Sequence, residues 1–185
     1  MTDAHPLDDL RRRLRGHVVI LGVGNTLRGD DAVGPYVVEK LAGRTSATLI
    51  DAGEVPENHV VKISDMDPTV VLLVDAAHLG AEPGDLALVE SDALAGASFS
   101  THNPSLVPFA AFLEASCGAE LIGVGVQPAT TEFGAEMTEP VRETADRLVA
   151  FLAAALPTGC AQGHARPVCS GPPVGGRARC RFAWA

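Results

Sequence analysis

GVGNTLRGDDAVG, residues Gly22 to Gly34, joins the apolar run HVVIL to the amphipathic stretch PYVVEKLAG. A buried strand, a glycine-rich loop and a helix are the order of elements in a phosphate-binding loop. From Gly24 the glycine spacing fits such a loop, but Asp30 and Asp31 stand where its lysine and hydroxyl residue belong. Two carboxylates repel a phosphate at close range. The stretch therefore predicts a strand-to-helix turn whose ligand is not a phosphate.

Outward from this stretch, apolar runs alternate with helical patterns. Strands are predicted at residues 17–23, 47–53, 69–77 and 119–126, and helices at 31–41, 57–66, from Pro104 onward and from just after Thr138. The alternation DLALVES, residues 85–91, indicates an edge strand, which we expect to run antiparallel. Strands that alternate with helices form a mainly parallel sheet covered on both faces. The sequence thus predicts an α/β three-layer sandwich with a twisted, mainly parallel sheet flanked by helices.

Length and charge limit the organisation and the partners. The 185 residues suffice for one domain with a buried core, and the net charge is -9. This charge argues against nucleic acid or an anionic membrane as partner and favours a cationic ligand or a metal ion. We predict a polar N-terminal extension at residues 1–16, an α/β domain at 17–156 and a disordered basic tail at 157–185. Because acids lie upstream of the short apolar run, residues 1–30 do not resemble a signal peptide, which predicts a cytoplasmic protein.

The tail carries a possible metal-binding set that we weigh against disorder. Cys160, Cys169, Cys180 and His164 lie in a segment rich in glycine, proline and arginine. Their spacing is irregular and contains no C-x-x-C pair, so a zinc site is disfavoured. A disordered tail is the preferred interpretation.

Three polar side chains are expected at one edge of the sheet. Ligands of open parallel sheets bind beyond the carboxyl ends of the strands. Asp31 lies in the loop after the first strand, Asp75 ends the most apolar strand, and His102 precedes a predicted helix. Carboxylate and imidazole ligands suit a divalent metal such as zinc or nickel.

Each of these residues also has a purely structural interpretation. An acid at a helix start caps the helix and complements its dipole, which we prefer for Asp30. Asp75 could cap a turn, and His102 could form a hydrogen bond at a helix end. His78 is a competing metal ligand, and His59 is a weaker one.

The combination of motifs resembles one known family. GVGNTLRGDDAVGP, DAGEVPEN, VDAAHLGAEPG, STHNPSL and GVGVQP occur in the order found in [NiFe]-hydrogenase maturation endopeptidases. The PEN, PG and THN segments are similar to the hydrogenase 3 (formate hydrogenlyase) type. The resemblance covers about residues 18–156 and leaves out the tail, and the chain departs from the family pattern at His78.

The resemblance implies a function and a site. It implies a cytoplasmic endopeptidase that removes the C-terminal extension of a [NiFe]-hydrogenase large-subunit precursor after nickel insertion. The implied metal-binding and catalytic residues are Asp31, Asp75 and His102. The implied metal is nickel supplied by the substrate, although zinc or cadmium could occupy the same site.

The mechanism remains open at this point. The family is grouped with aspartic-type endopeptidases, but the usual Asp-Thr-Gly or Asp-Ser-Gly signature is absent. Our hypothesis is that Asp31, Asp75 and His102 ligate the substrate's nickel and position the scissile bond beside it. The alternatives are a non-enzymatic nickel-binding chaperone and a nucleotide-binding α/β protein.

Overall fold

A computed structural model describes residues 6–90 and 106–159 of the chain. Its strands are β1 (Val18–Val23), β2 (Thr48–Gly53), β3 (Val70–Ala76), β4 (Leu86–Glu90) and β5 (Glu120–Val126). Its α-helices are α1 (Pro6–Arg13), α2 (Val33–Leu41), α3 (Val60–Asp65), α4 (Leu106–Cys117) and α5 (Glu139–Ala155). Two short 3-10 helices, Gly29–Ala32 and Pro56–His59, precede α2 and α3.

The five strands form one sheet in the order β2-β1-β3-β5-β4. β1 pairs in parallel with β2 and β3, and β3 pairs in parallel with β5. β4 pairs antiparallel with β5, from Leu86 opposite Val126 to Glu90 opposite Ile122. The predicted fold class is therefore confirmed, including the antiparallel edge strand.

The two faces of the sheet are covered by different helices. Residues of α1, α2 and α5 form one hydrophobic core with alternate residues of the central strands. Ile63 of α3, Phe109 and Leu113 of α4 form the second core with the other set of strand residues. Both faces of β1 and β3 are buried, which explains why these strands read as continuous apolar runs.

The local predictions differ from the structure in three places. The helix expected at residues 57–66 is divided into the 3-10 helix Pro56–His59 and α3. The helix expected at residues 31–41 is divided into a 3-10 turn and α2, which begins only at Val33. Residues Pro6–Arg13 of the predicted polar extension form α1, and Leu10 is completely buried in the first core.

The limits of the predicted domains stay a prediction. The proposed start of the helix at Pro104 and the tail from residue 160 lie outside the described residues. In the described ranges, no helix has the length and apolarity needed to cross a bilayer.

Candidate active site

The strand order creates a crevice between β1 and β3. From β1 the chain continues to β2 on one side, whereas from β3 it continues to β4 and β5 on the other side. Connections that leave adjacent parallel strands in opposite directions open a crevice at the carboxyl ends, where α/β proteins bind their ligands. The segments that follow β1 and β3 therefore border the candidate site.

Asp31 and Asp75 both lie at this crevice. Asp31 belongs to the 3-10 helix after β1, and Asp75 is the penultimate residue of β3. The 3-10 helix contacts β3, and a side chain at Gly34 would come within 2.5 Å of the Val74 carbonyl oxygen. The two acids are only 2% and 3% exposed. Burying a carboxylate costs free energy unless hydrogen bonds or a cation compensate it.

The loop between β1 and the 3-10 helix fixes the position of Asp31. Gly24 has φ +134°, and a side chain there would collide with the Asp31 carbonyl oxygen. The backbone N–H of Asn25 donates a hydrogen bond to Oδ2 of Asp31 at 2.8 Å, and the Asn25 side chain accepts one from Leu27. Within the described residues, no hydrogen-bond donor reaches the other oxygen, Oδ1, of Asp31. The loop thus holds the carboxylate in place and leaves one oxygen for a ligand.

Asp30 has a different role from its neighbour. Its carboxylate is fully buried and accepts hydrogen bonds from the backbone N–H groups of Ala129, Thr130 and Thr138. The Thr138 hydroxyl donates to the same carboxylate. The preferred interpretation of Asp30 as a helix cap is therefore wrong, since it joins the loop after β1 to the segment after β5. Its partners are about one hundred residues away, so local sequence could not reveal them.

Gln127 supports the segment that follows Asp75. Its Oε1 accepts hydrogen bonds from the backbone N–H groups of Leu79 and Ala81, at 2.7 and 3.4 Å. Its Nε2 donates to the Pro128 carbonyl, and the side chain is buried. In the sequence Gln127 only marks the end of a strand, and no local signal indicates this supporting role.

Of the three candidate histidines, two lie within the described residues. His102 lies outside the described residues, so its place in the triad stays a prediction. His78 is exposed after β3, and His59 is half-buried at the end of the second 3-10 helix. In residues 6–90 and 106–159, no three His, Cys, Asp or Glu side chains are grouped closely enough to hold a metal ion. The described residues therefore contribute two carboxylates to the predicted site.

An open cleft of about 640 Å³ lies beside the site loop. It runs from Thr26 and Gly29 to Asp51 at the end of β2, and Tyr36 of α2 forms part of its wall. Burial, followed by a hydrogen bond to Asp146, raises the pKa of Tyr36 above its usual value. The phenol is therefore a neutral hydrogen-bonding group across the physiological pH range.

A model of the hydrogenase maturation protease family matches residues 35–155. The chain belongs to the hydrogenase maturation protease family. This maturation protease is 36% identical over 131 residues to the hydrogenase 3 maturation protease of Escherichia coli K12, a match that covers 69% of this chain and 83% of the relative.

Solved structures agree with the family assignment. The crystal structure of the [NiFe] hydrogenase maturation protease HycI from Thermococcus kodakarensis KOD1 is similar with a TM-score of 0.73 and 35% identity, covering 80% of this chain and 98% of that chain. The solution structure of the endopeptidase HycI from Escherichia coli gives a TM-score of 0.69 and 34% identity, covering 75% and 90%. The family predicted for this maturation protease from its motifs is therefore confirmed.

Proposed function

We propose that this maturation protease removes the C-terminal extension of a [NiFe]-hydrogenase large-subunit precursor after nickel insertion, in the cytoplasm. Family membership supports a hydrolase that acts on a hydrogenase precursor. The single structural observation that carries the proposal is the pair of buried carboxylates, Asp31 and Asp75, at the crevice between β1 and β3.

The nickel of the precursor is the cation that these carboxylates would recognise. Oδ1 of Asp31 lacks a hydrogen-bond donor in the described part of the chain, although the residue is buried. A carboxylate in that position is compensated when a cation arrives, and carboxylate oxygen is an acceptable ligand for nickel or zinc. The net charge of -9 adds a favourable field for a cation. Zinc or cadmium would be held by the same donors.

His102 completes the proposed ligand set. By its alternation with Val71 and Leu73, Asp75 lies on the sheet face that α4 covers, and His102 precedes α4 by four residues in sequence. An imidazole nitrogen beside two carboxylate oxygens leaves positions for the ligands that the precursor itself provides. The nickel thus stays bound to the precursor, and the protease recognises the precursor by this bound nickel.

Nickel recognition would place the scissile bond at the acids. Contact between the substrate's nickel and Asp31 and Asp75 turns cleavage of the extension into a reaction within one complex, which supplies much of the rate enhancement. When these residues bind the substrate's nickel, the metal could polarise the scissile carbonyl or activate a water for attack on it. This assignment fits the grouping with aspartic-type endopeptidases without requiring two acids that share a proton.

A processing assay tests the proposal. Purified protein is incubated with nickel-loaded and nickel-free precursor, and the mass of the large subunit is measured. We expect the loaded precursor to lose its C-terminal peptide, the nickel-free precursor to remain intact, and Asp31→Asn and Asp75→Asn to abolish processing. Asp65→Asn is the matched control, because this exposed acid ends α3, which leads into the amino end of β3, whereas Asp75 lies near its carboxyl end.

The outcomes separate protease from chaperone. Nickel-dependent binding of the precursor without any loss of mass would replace the protease with a nickel-binding chaperone. Equal cleavage of loaded and nickel-free precursor would contradict nickel recognition while leaving the proteolysis in place.

A further inference from the structure

Two large apolar side chains are exposed beside the candidate active site. Leu27 is 58% exposed and Phe133 is 73% exposed. Leu27 lies four residues before Asp31 in the loop after β1, and Phe133 lies in the segment after β5. The backbone N–H of Gly134 donates to the Leu27 carbonyl at 2.7 Å, which brings the two segments together. We call these two residues the Leu27–Phe133 patch.

The patch is held on a fixed backbone. Asp30 pins the segment after β5 through hydrogen bonds from Ala129, Thr130 and Thr138, and Gly29 N–H donates to the Ala135 carbonyl. Apolar side chains that a well-ordered backbone keeps in water are unfavourable unless a partner covers them. A fixed apolar patch four residues from Asp31 is therefore placed to receive whatever enters the crevice.

An arginine adjoins the patch. Arg28 follows Leu27, and its buried Nε atom has no hydrogen-bond partner among residues 6–90 and 106–159. In the described ranges Arg28 forms no ion pair, although the chain has 23 acidic and 14 basic residues. A buried guanidinium N–H that lacks an acceptor is costly, and a carboxylate that pairs with this half-buried side chain would supply one. Arg28 therefore adds an anion-binding element to the patch.

We propose that Leu27, Arg28 and Phe133 form the surface on which the substrate polypeptide docks next to the scissile bond. The occupant is a segment of the precursor that presents an apolar side chain to the Leu27–Phe133 patch and a carboxylate to Arg28. This inference rests on the proposed function. A second copy of this chain is a poorer occupant, because two molecules of charge -9 repel each other.

The test compares two phenylalanines. Phe133→Ala and Arg28→Gln are measured against Phe112→Ala, which removes a phenylalanine that is 44% exposed in the middle of α4 and belongs to neither segment of the patch. We expect Phe133→Ala and Arg28→Gln each to raise KM for nickel-loaded precursor about tenfold, the loss typical of an interface anchor, with kcat nearly unchanged. Phe112→Ala is expected to behave as wild type, and all three variants to retain the wild-type Tm.

Binding measured without cleavage separates this surface from the proposed function. Fluorescence anisotropy of labelled precursor gives Kd even when no peptide is released. Weaker binding by Phe133→Ala and Arg28→Gln supports the surface, whether or not the wild type cleaves. Unchanged KM and Kd in a wild type that cleaves would overturn the surface and leave the proteolytic function intact. Conversion of a dimer into a monomer by Phe133→Ala in sedimentation would assign the patch to self-association instead.

Discussion

Asp30 and Asp31 are adjacent and both buried, yet their surroundings differ. Asp30 accepts hydrogen bonds from three backbone N–H groups and one hydroxyl of the segment after β5. Among the described residues Asp31 accepts one, from Asn25, and it lies at the crevice beside β3. A carboxylate whose acceptor sites are filled by the protein maintains structure, whereas one that keeps an acceptor site open is available to a ligand. The same residue type therefore serves the fold at one position and the proposed chemistry at the next.

The largest expected effect lies on the Asp31 side of this comparison. Asp31→Asn keeps an oxygen that can accept the Asn25 N–H but removes the charge that faces the crevice. We expect processing of nickel-loaded precursor to fall about a thousandfold, as when a preorganised charge-stabilising group is removed. The unfolding free energy from urea denaturation should change by less than about 1 kcal/mol. A large loss of stability would mean that Asp31, like Asp30, is a structural residue.

Asp30 should show the opposite pattern. Asp30→Ala removes a buried carboxylate and leaves the three backbone N–H groups that donate to it without an acceptor, so the unfolding free energy should fall by about 3 kcal/mol. The measurement is the urea midpoint, together with hydrogen exchange of Ala129, Thr130 and Thr138. Wild-type protection of these amides would contradict the assigned role.

Gly24 tests how precisely the loop must hold Asp31. Gly24→Ala places a methyl group on the Asp31 carbonyl at φ +134°, and we expect the backbone strain to lower stability by about 2 kcal/mol. Processing should fall further than this stability loss explains, because Asp31 is displaced. The matched control is Gly43→Ala, where φ is also positive but the added carbon meets no atom within 4 Å. Equal processing by the two folded variants would contradict a requirement for the tight loop.

Substitution of Gln127, which supports the segment after Asp75, should have the smallest effect on the protein. Gln127→Leu removes the acceptor for the Leu79 N–H, which should lower stability by about 1 kcal/mol. Because the segment after Asp75 loses its support, the exchange of the Leu79 amide should accelerate more than that of β5. Uniform acceleration across the sheet would show that Gln127 acts through global stability alone.

Much of the fold follows from the sequence for clear physical reasons. The apolar runs at β1 and β3 lie between two layers of helices, so their composition alone identifies them. The alternation in β4 is that of an edge strand. Helix α1 is not predicted, although Leu7, Leu10 and Leu14 recur at helical spacing and pack on the first core, because the segment is short and otherwise polar.

The candidate site likewise contains residues that the sequence predicts and residues that it does not predict. Asp31 and Asp75 could be predicted at the same end of the sheet because the carboxyl ends of parallel strands lie together. Asp30 and Gln127 could not be interpreted, since their partners are distant in sequence and no local pattern encodes them. The involvement of His102 stays a prediction from the motif.

Asp30 is assigned a structural role and Asp31 a role in recognising nickel. The most direct test of this difference is to measure the affinity of the protein for nickel-loaded and for nickel-free precursor. Titration calorimetry gives both dissociation constants for the wild type and for Asp31→Asn. The wild type should bind the loaded precursor more tightly, and Asp31→Asn should bind both forms with the same weaker affinity. A preference for loaded precursor that persists undiminished in Asp31→Asn would contradict the claim that this carboxylate recognises the substrate's nickel.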